Sequence, residues 1–532
     1  MASKITRSRF EERTDMLRSK SLSLSIRPAG CWLQACRNTR QKILNKQLNI
    51  LASSSHVCSY PADPSTHSYT TSTYDSVLDN LQASIDAEFI RGGCNLILIP
   101  SPPSQEVVSK DAEAPLAALP VTSLLRSLLL HSISSSPRVL KLGTKVMLAN
   151  LNTMDKNFLL KLAVDKTFYA QFCAGATAAE IASTIENLRS LGYGGVILSY
   201  VREAEITDTS ASTELQNIKQ WLEGSLKTIQ YVDPRDYVAV KYSGAGSSCL
   251  PLLSQHKKCF NHPELGASLI KICEAAKERG VKLLIDAEQA LIQDGVHGWT
   301  LELMRRFNTK ENAVVYNTYQ MYLKSTPEIL CRHLEVARRE GFTLGVKLVR
   351  GAYIGSDPRE LIHDTKADTD QAYDEAIRLM LTGSPKSAPE WSSVDSSKSF
   401  FDGPVQKILG AEKNKAKVDL VIACHNRESI DMAVALRRTM PAQECGVGRL
   451  VFAQLLGMAD ELSLGLVAQG AKKAQAQSDF DIEVYKYAVW GTTQECVRYL
   501  LRRAEENKDA VGRSIEHRTA VMKEVWRRIR GG

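Results

Sequence analysis

Leu344-Gly-Val-Lys-Leu-Val-Arg-Gly-Ala-Tyr353 opens as a six-residue apolar run holding one lysine, then breaks into arginine, two small residues and a tyrosine. Its length and its valines read as a buried strand, with the polar residues standing where such a strand ends. The same arrangement recurs on both sides. Short apolar runs stand at Val196–Tyr200, Tyr237–Lys241, Val281–Asp286, Ala313–Tyr319, Leu344–Val349, Val418–Ala423, Leu450–Ala453 and Ile482–Val489. Segments with a 3.6-residue apolar period follow them, as at Glu214–Ile229, Leu265–Lys277, Gln371–Leu381 and Thr493–Asn507. Eight strand–helix units in about 310 residues predict an α/β fold, a (β/α)8 barrel over residues 195–510. A doubly wound open sheet can be drawn from the same runs. It usually carries a Gly-rich phosphate turn, and neither Gly-x-Gly-x-x-Gly nor a phosphate loop ending in Gly-Lys-Ser or Gly-Lys-Thr occurs.

A barrel places its working residues at the C-terminal ends of the strands or just after them. Lys241 closes the second run and Asp286 the third; Gln320 follows the fourth and Arg350 the fifth. His425 and Asn426 follow the sixth, Tyr487 lies in the eighth, and the helix beyond carries Arg502, Arg503 and Glu506. Any one of these is readily explained as a rim salt bridge. Chance placement would not gather them all at one end.

The chain has 532 residues, 44% hydrophobic and 24% charged, with 67 Lys and Arg against 59 Asp and Glu. Residues 1–62 hold 11 of the basic and 3 of the acidic residues, so the other 470 carry 56 of each and the +8 sits at the N-terminus. A body of zero formal net charge argues against nucleic-acid binding as the main activity. Residues 16–62 are free of Asp and Glu, rich in Ser and Arg, and carry an apolar stripe through Leu17, Leu22, Leu24, Ile26, Trp32 and Leu33. That is the composition of an organellar transit peptide, and Met16 would start a cleaner one than Met1, because Glu11, Glu12 and Asp15 fall between them. Residues 63–116 read as a poorly ordered lead-in, 117–194 as helices preceding the barrel, 383–413 as a polar surface insertion and 511–532 as a basic tail. Twelve scattered cysteines without Cys-x-x-Cys suit a reducing compartment, and no His-x-x-x-His pair or zinc spacing appears, so no metal is expected. No window of eighteen apolar residues stands out, so any membrane contact is expected to be peripheral.

Lys347-Leu-Val-Arg-Gly-Ala-Tyr353 and Tyr499-Leu-Leu-Arg-Arg-Ala-Glu-Glu-Asn507 closely resemble the two signature segments of the proline dehydrogenase family. Thr167-Phe-Tyr-Ala-Gln-Phe-Cys-Ala-Gly175, Leu284-Ile-Asp-Ala-Glu-Gln289 and Val451-Phe-Ala-Gln-Leu-Leu-Gly-Met458 match in the same order. The likeness spans roughly residues 120–510 and is to the eukaryotic, single-function mitochondrial form, fungal in character. It implies a distorted barrel preceded by helices, with FAD held non-covalently at its open end. The implied activity is oxidation of L-proline to Δ1-pyrroline-5-carboxylate, the first step of proline catabolism. Electrons would pass to a membrane quinone on the matrix side of the mitochondrial inner membrane.

Residue by residue, the resemblance sets Asp286 and Lys241 around the substrate and flavin edge, Ala287 and Gln320 on the isoalloxazine, and Arg350, Gly351, Ala352, Cys424 and His425 around the cofactor. Tyr353, Leu455 and Tyr487 enclose the proline ring, and Arg502 and Arg503 take its carboxylate. Lys347 stands where bacterial relatives commonly carry an arginine that donates to flavin N5. A lysine donates there as a point charge, without the planar fork.

The residue types agree with these roles. A carboxylate in an enclosed site needs cationic donors, and arginine grips both oxygens at once. Glu506, four residues after Arg502 and three after Arg503, can hold them on one helix face. Lys241 and Asp286 at neighbouring strand ends are expected to pair, since each keeps its charge in an enclosed site only beside the other. Gly351 is expected to let the backbone approach the flavin closely. Rival readings are hydroxyproline dehydrogenase, a class I aldolase-type barrel using Lys241 as a Schiff-base lysine, and a barrel retained as a scaffold or proline sensor. The aldolase leaves Arg502 and Arg503 without a role, and the scaffold predicts losses among the flavin and carboxylate residues that do not occur.

Overall fold

The structure, a computed structural model, describes residues 114–134, 136–201, 211–255, 262–386, 399–405, 408, 416–440, 445–474, 482–509 and 511–530. The basic segment 1–62 and all but the last three residues of the 63–116 lead-in lie outside the described residues. Nine strands are described: β1 Cys173–Gly175, β2 Gly195–Tyr200, β3 Tyr237–Val240, β4 Lys282–Ile285, β5 Val315–Gln320, β6 Leu344–Val349, β7 Val418–Ala423, β8 Val447–Leu455 and β9 Glu483–Trp490. All pair in parallel from β2 through β9, and β9 closes the ring on β2 through pairs such as Ile197↔Tyr487. This closure excludes the open doubly wound sheet. The short strand β1 adds to β9 at Cys173↔Val489 and has no counterpart among the expected runs.

Helices α1 Val121–Ser134, α2 Pro137–Ala149 and α3 Phe158–Val164 precede β1, and α4 Ala178–Ser190 joins it to β2. The crossovers are α5 Ala211–Tyr231, α6 Cys249–Ser254 with α7 Pro263–Arg279, α8 Ala290–Phe307, α9 Thr326–Glu340, α10 Lys366–Thr382, α11 Arg427–Thr439 and α12 Asp460–Ala474. After β9 come α13 Thr493–Asp509 and α14 Val511–Ile529. Local chemistry sets several of these ends. Thr177 with Glu180, and Thr365 with Asp368, form capping boxes that satisfy orphan amides at the starts of α4 and α10. Gly280 and Gly341 end α7 and α9 in the left-handed region, φ 72° and 75°, turning the chain into β4 and β6.

Side chains alternate across the strands. Ile197, Tyr237, Leu284, Tyr316, Val421 and Tyr485 fill the barrel, whereas Val315, Val346, Leu348 and Leu420 join the larger core beneath the helices. The N-terminal end is plugged. Arg449 bonds Glu483 at 2.7 Å and the Tyr485 hydroxyl at 2.8 Å, its guanidinium 5.2 Å from the centre of the Tyr237 ring. Asp419 beside it accepts hydrogen bonds from the amides of Ala313 and Arg449. A buried carboxylate supplied with donors in this way makes a floor and leaves the C-terminal mouth as the place for a ligand.

Two expectations are corrected. Residues 511–530 form α14, which packs against α1 with Val521 and Glu524 buried, so this part is a structured helix; Arg528 there donates to the carbonyls of Leu116, Ala117 and Leu119. The described part of the 383–413 insertion is more than surface loop. Phe401 is fully buried, Phe400, Val405 and Ile408 pack against the core, and Glu375 accepts from the Ser399 hydroxyl and the Phe400 amide, pinning the insertion in place.

Candidate active site

A cavity of about 310 Å3 opens at the C-terminal mouth, a volume typical of small-molecule sites. Lys241, Asp286, Ala287, Lys347, Arg350, Gly351, Ala352, Tyr353, Cys424, His425, Leu455 and Tyr487 all line it, so most of the sequence-derived candidates converge on one place. Gln320 does not reach the wall. It is buried behind it, donating to the Glu288 carbonyl at 2.9 Å and accepting from the Ala352 amide at 3.1 Å. Its action on the cavity is through the Ala352 loop. Arg502, Arg503 and Glu506 lie on α13, which carries the cavity-lining Tyr499 at an earlier turn; their side chains lie outside the described residues.

Asp286, just past β4, is the centre of charge. Lys347 in β6 reaches it with Nζ 2.5 Å from Oδ1, and the Tyr487 hydroxyl donates to Oδ2 at 2.6 Å. The Lys347 ammonium also lies 4.8 Å from the centre of the Tyr487 ring. To the expected Lys241–Asp286 pairing the structure adds Lys347 as a direct partner, and the Lys241 charge acts on the same carboxylate. Burial alone would raise the Asp286 carboxyl. The charges of Lys347 and Lys241, with the hydrogen bonds from Lys347 and Tyr487, overcome that and hold it below the ordinary carboxylate range. Burial, reinforced by the Asp286 charge, pushes the Tyr487 phenol well up, so it stays a donor.

Lys241 is set by its own backbone. Trp221 Nε1 donates to its carbonyl at 3.0 Å, and Ser243 two residues on gives its amide to buried Glu288 at 2.9 Å. Arg350 is held by Asp370 at 2.8 Å, the Cys424 sulfur at 2.8 Å and the Ser429 hydroxyl at 2.8 Å, and its guanidinium lies 4.3 Å from the centre of the Tyr373 ring. His425 Nε2 accepts the Leu455 amide at 3.1 Å, and the Tyr353 hydroxyl donates to the Ala287 carbonyl at 3.3 Å. Gly351 has a nearer reason to be glycine than the one expected: a Cβ there would collide with the Tyr322 ring, whose hydroxyl is bonded to Asp357.

Sequence reasoning missed Ser199, Thr318, Gln454 and Tyr499 on the wall. Gln454 and Tyr499 lie inside two of the five quoted segments that carry the resemblance. Ser199 and Thr318 are signalled only by inward alternation along β2 and β5. The Gln454 Oε1 is buried and takes no hydrogen bond, while its Nε2 donates to the Cys424 carbonyl at 3.2 Å.

With one end plugged and its charged groups gathered at the other, the chain has the design of a (β/α)8 barrel that works on a small molecule at its C-terminal mouth. Known proteins sharpen that class. The family profile described as proline dehydrogenase matches residues 181–515. A Schizosaccharomyces pombe protein named probable proline dehydrogenase, mitochondrial, is 30% identical over 455 residues, covering 76% of this chain and 88% of that one. The hydroxyproline dehydrogenase of Rattus norvegicus is 27% identical, covering 69% and 82%. The crystal structure of proline utilization A from Bdellovibrio bacteriovorus, inactivated by N-propargylglycine, has a TM-score of 0.50 at 17% identity over 73% of this chain. That likeness concerns the fold, and the chain spans 36% of the length of that longer protein. The chain belongs to the proline dehydrogenase family.

Proposed function

We propose that this protein oxidises L-proline to Δ1-pyrroline-5-carboxylate, with FAD as resident cofactor and a membrane quinone as electron acceptor, at the mitochondrial inner membrane. The observation that carries the reading is the Lys347–Asp286–Tyr487 cluster at the barrel mouth of a chain of this family. The mitochondrial site rests on the names of relatives such as the Schizosaccharomyces pombe and Homo sapiens proteins, together with the acid-free segment 16–62.

The residues present fit a flavin. Gln454 Oε1 is a buried acceptor in want of a donor, and an N–H on the rim of a flavin ring answers it. Arg350 is fixed by three partners and an aromatic face, and with five N–H donors it keeps some for an anionic cofactor. Lys347 uses one of three ammonium donors on Asp286, leaving others for flavin N5. When bound, FAD would supply the two-electron acceptor that removal of a hydride from the carbon beside the proline nitrogen requires.

The chain's own residues bind and orient. Arg502 and Arg503 take the substrate carboxylate, Glu506 being placed by the helical spacing to share their face. Tyr353, Leu455 and Tyr487 wall the ring, and Lys241 with Asp286 frames the amine. Ala287, Gly351, Ala352, Cys424 and His425 surround the cofactor, Gln320 serving by holding the Ala352 amide. Family membership sets aside the Schiff-base reading of Lys241.

Peripheral membrane contact has support in α1–α3. Leu142, Phe158 and Leu159 are 64%, 71% and 75% exposed, and residues 121–164 hold six Lys and Arg against one acid. Apolar anchors among cations suit an anionic bilayer surface. Among the described residues no helix is long and apolar enough to cross a membrane.

The direct test is reduction of a dye by purified protein with proline or 4-hydroxyproline, with and without EDTA. Turnover that prefers proline and ignores EDTA is expected. Faster turnover of hydroxyproline would move the substrate, and turnover of neither would contradict the proposal. Vesicles containing an anionic lipid should bind the wild type and release the Leu142→Glu/Leu159→Glu variant, with dye reduction intact.

A further inference from the structure

Among the described residues one non-glycine stands at positive φ: Ala459, at 52°. It lies in the stretch Leu455–Asp460 between β8 and α12, which brings Leu455 to the cavity wall. Two residues earlier Gly457 has φ +73°, and a Cβ there would run into the carbonyl of Gln171. Left-handed backbone at an alanine is strained, and such strain persists only where the surroundings over-determine the conformation; it gathers at functional sites.

Buried polar side chains do the holding. Lys486 in β9, 1% exposed, matches all three ammonium donors to this loop and the helix after it: the Met458 carbonyl at 2.9 Å, Asp460 Oδ1 at 2.7 Å and the Ser463 hydroxyl at 2.8 Å. From the other side Gln171 Nε2 donates to the Gly457 carbonyl at 3.0 Å, and Gln171 Oε1 accepts from Arg126 Nε of α1 at 2.9 Å. The Leu456 amide bonds the Tyr487 carbonyl at 2.8 Å. One strand thus grips the loop with Lys486 on its outer face and, one residue on, gives Tyr487 to Asp286 on its inner face.

We propose that Lys486, together with Arg126 acting through Gln171, is a positioning pair that fixes where Leu455 stands against the substrate ring. The selectivity between proline and ring-substituted prolines is thereby set from outside the cavity, by β9 and by a helix that precedes the barrel. The proposal rests on the proline-oxidising reading of the cavity.

The test is Lys486→Met and, as a variant on the far side of the loop, Arg126→Gln, each with wild type beside it. Each should raise KM for proline about tenfold, as loss of a supporting contact behind a direct ligand does, with kcat within about twofold and flavin content unchanged. The preference for proline over 4-hydroxyproline should narrow. Ala459→Gly, which removes the strain, should recover part of the KM in the Lys486→Met background. Hydrogen exchange of the amides of 455–460 should quicken while those of β4 keep their rates, a readout that needs no turnover. Unchanged exchange in both variants overturns the positioning role whatever the activity, as does a fall in kcat at constant KM that follows loss of folded protein. Quickened exchange in a protein whose wild type ignores proline upholds the latch and overturns the substrate.

Discussion

Asp286 keeps a negative charge in a buried setting because three side chains from three other strands face it: Lys241, Lys347 and Tyr487. Removing one member of such a set leaves a buried charge short of its partner, which costs about 3–5 kcal/mol. Lys347→Met should therefore lower stability by that order and let burial lift the Asp286 carboxyl. The sign follows from its depressed value: the stability Asp286 contributes is present above the ordinary carboxylate range and lost as pH falls through the lower folded value. In Lys347→Met the share of the acid loss that Asp286 carries should shrink, measured as urea stability against pH, and an acid limb of unchanged depth would deny Lys347 its part. Arg502→Ala and Arg503→Ala should each cut kcat/KM for proline by about 30-fold to several thousand-fold, corresponding to roughly 2–5 kcal/mol. Lysine at either position should recover only part, and wild-type KM in both alanine variants would remove the carboxylate assignment. Spacing along the chain pointed to Lys241 and Asp286 because they close adjacent strands. It could not reveal that Lys347, set back inside β6, reaches across the mouth to the same carboxylate.

At the scale of elements, the eight apolar runs became eight strands because length and β-branching mark a buried parallel strand whatever its neighbours are. Both ends of Leu344–Val349 and Val418–Ala423 were legible. Three-residue β1 was not, being too short to carry a period, and it pairs where β9, still bonded to β2, runs on past its last pair with β8 at Tyr487. Phe401 was hidden for a different reason: aromatics at Trp391, Phe400 and Phe401 in a polar, Ser-rich stretch give no period, although Glu375 fastens the backbone one residue earlier, at Phe400. The loop after β6 was legible in position and misread in cause. Gly351 faces the Tyr322 ring, so Gly351→Ala overpacks and should cost about 1–3 kcal/mol. Adding Tyr322→Leu should restore much of the stability, a non-additivity read from thermal melts of the two single variants and the double. Simple additivity would show that the glycine serves only a bound ligand.

The molecule as a whole carries a buried histidine pair behind the site, between the barrel wall and its helices. His297 accepts from Asn317 at 2.9 Å, and His333 lies 5.7 Å from its ring and bonds the Tyr319 hydroxyl at 2.8 Å. Burial pushes His297 down to about 4, and His333 is pushed down likewise. With the unfolded value near 6.5, the neutral form is favoured by folding, so stability is full above about pH 6.5 and falls as pH drops toward 4, by up to about 3 kcal/mol for His297. His297→Gln should flatten that part of the stability curve, and an unchanged slope would show that His297 is charged in the fold. The central claim concerns what happens at the barrel mouth, and one measurement addresses it without dyes or quinones: anaerobic titration of the purified protein with L-proline while its absorbance is followed. A yellow protein whose flavin bleaches as proline is added is the expected result. A protein that purifies with no flavin and takes up none from added FAD, or a flavin that stays oxidised in excess proline, would contradict it.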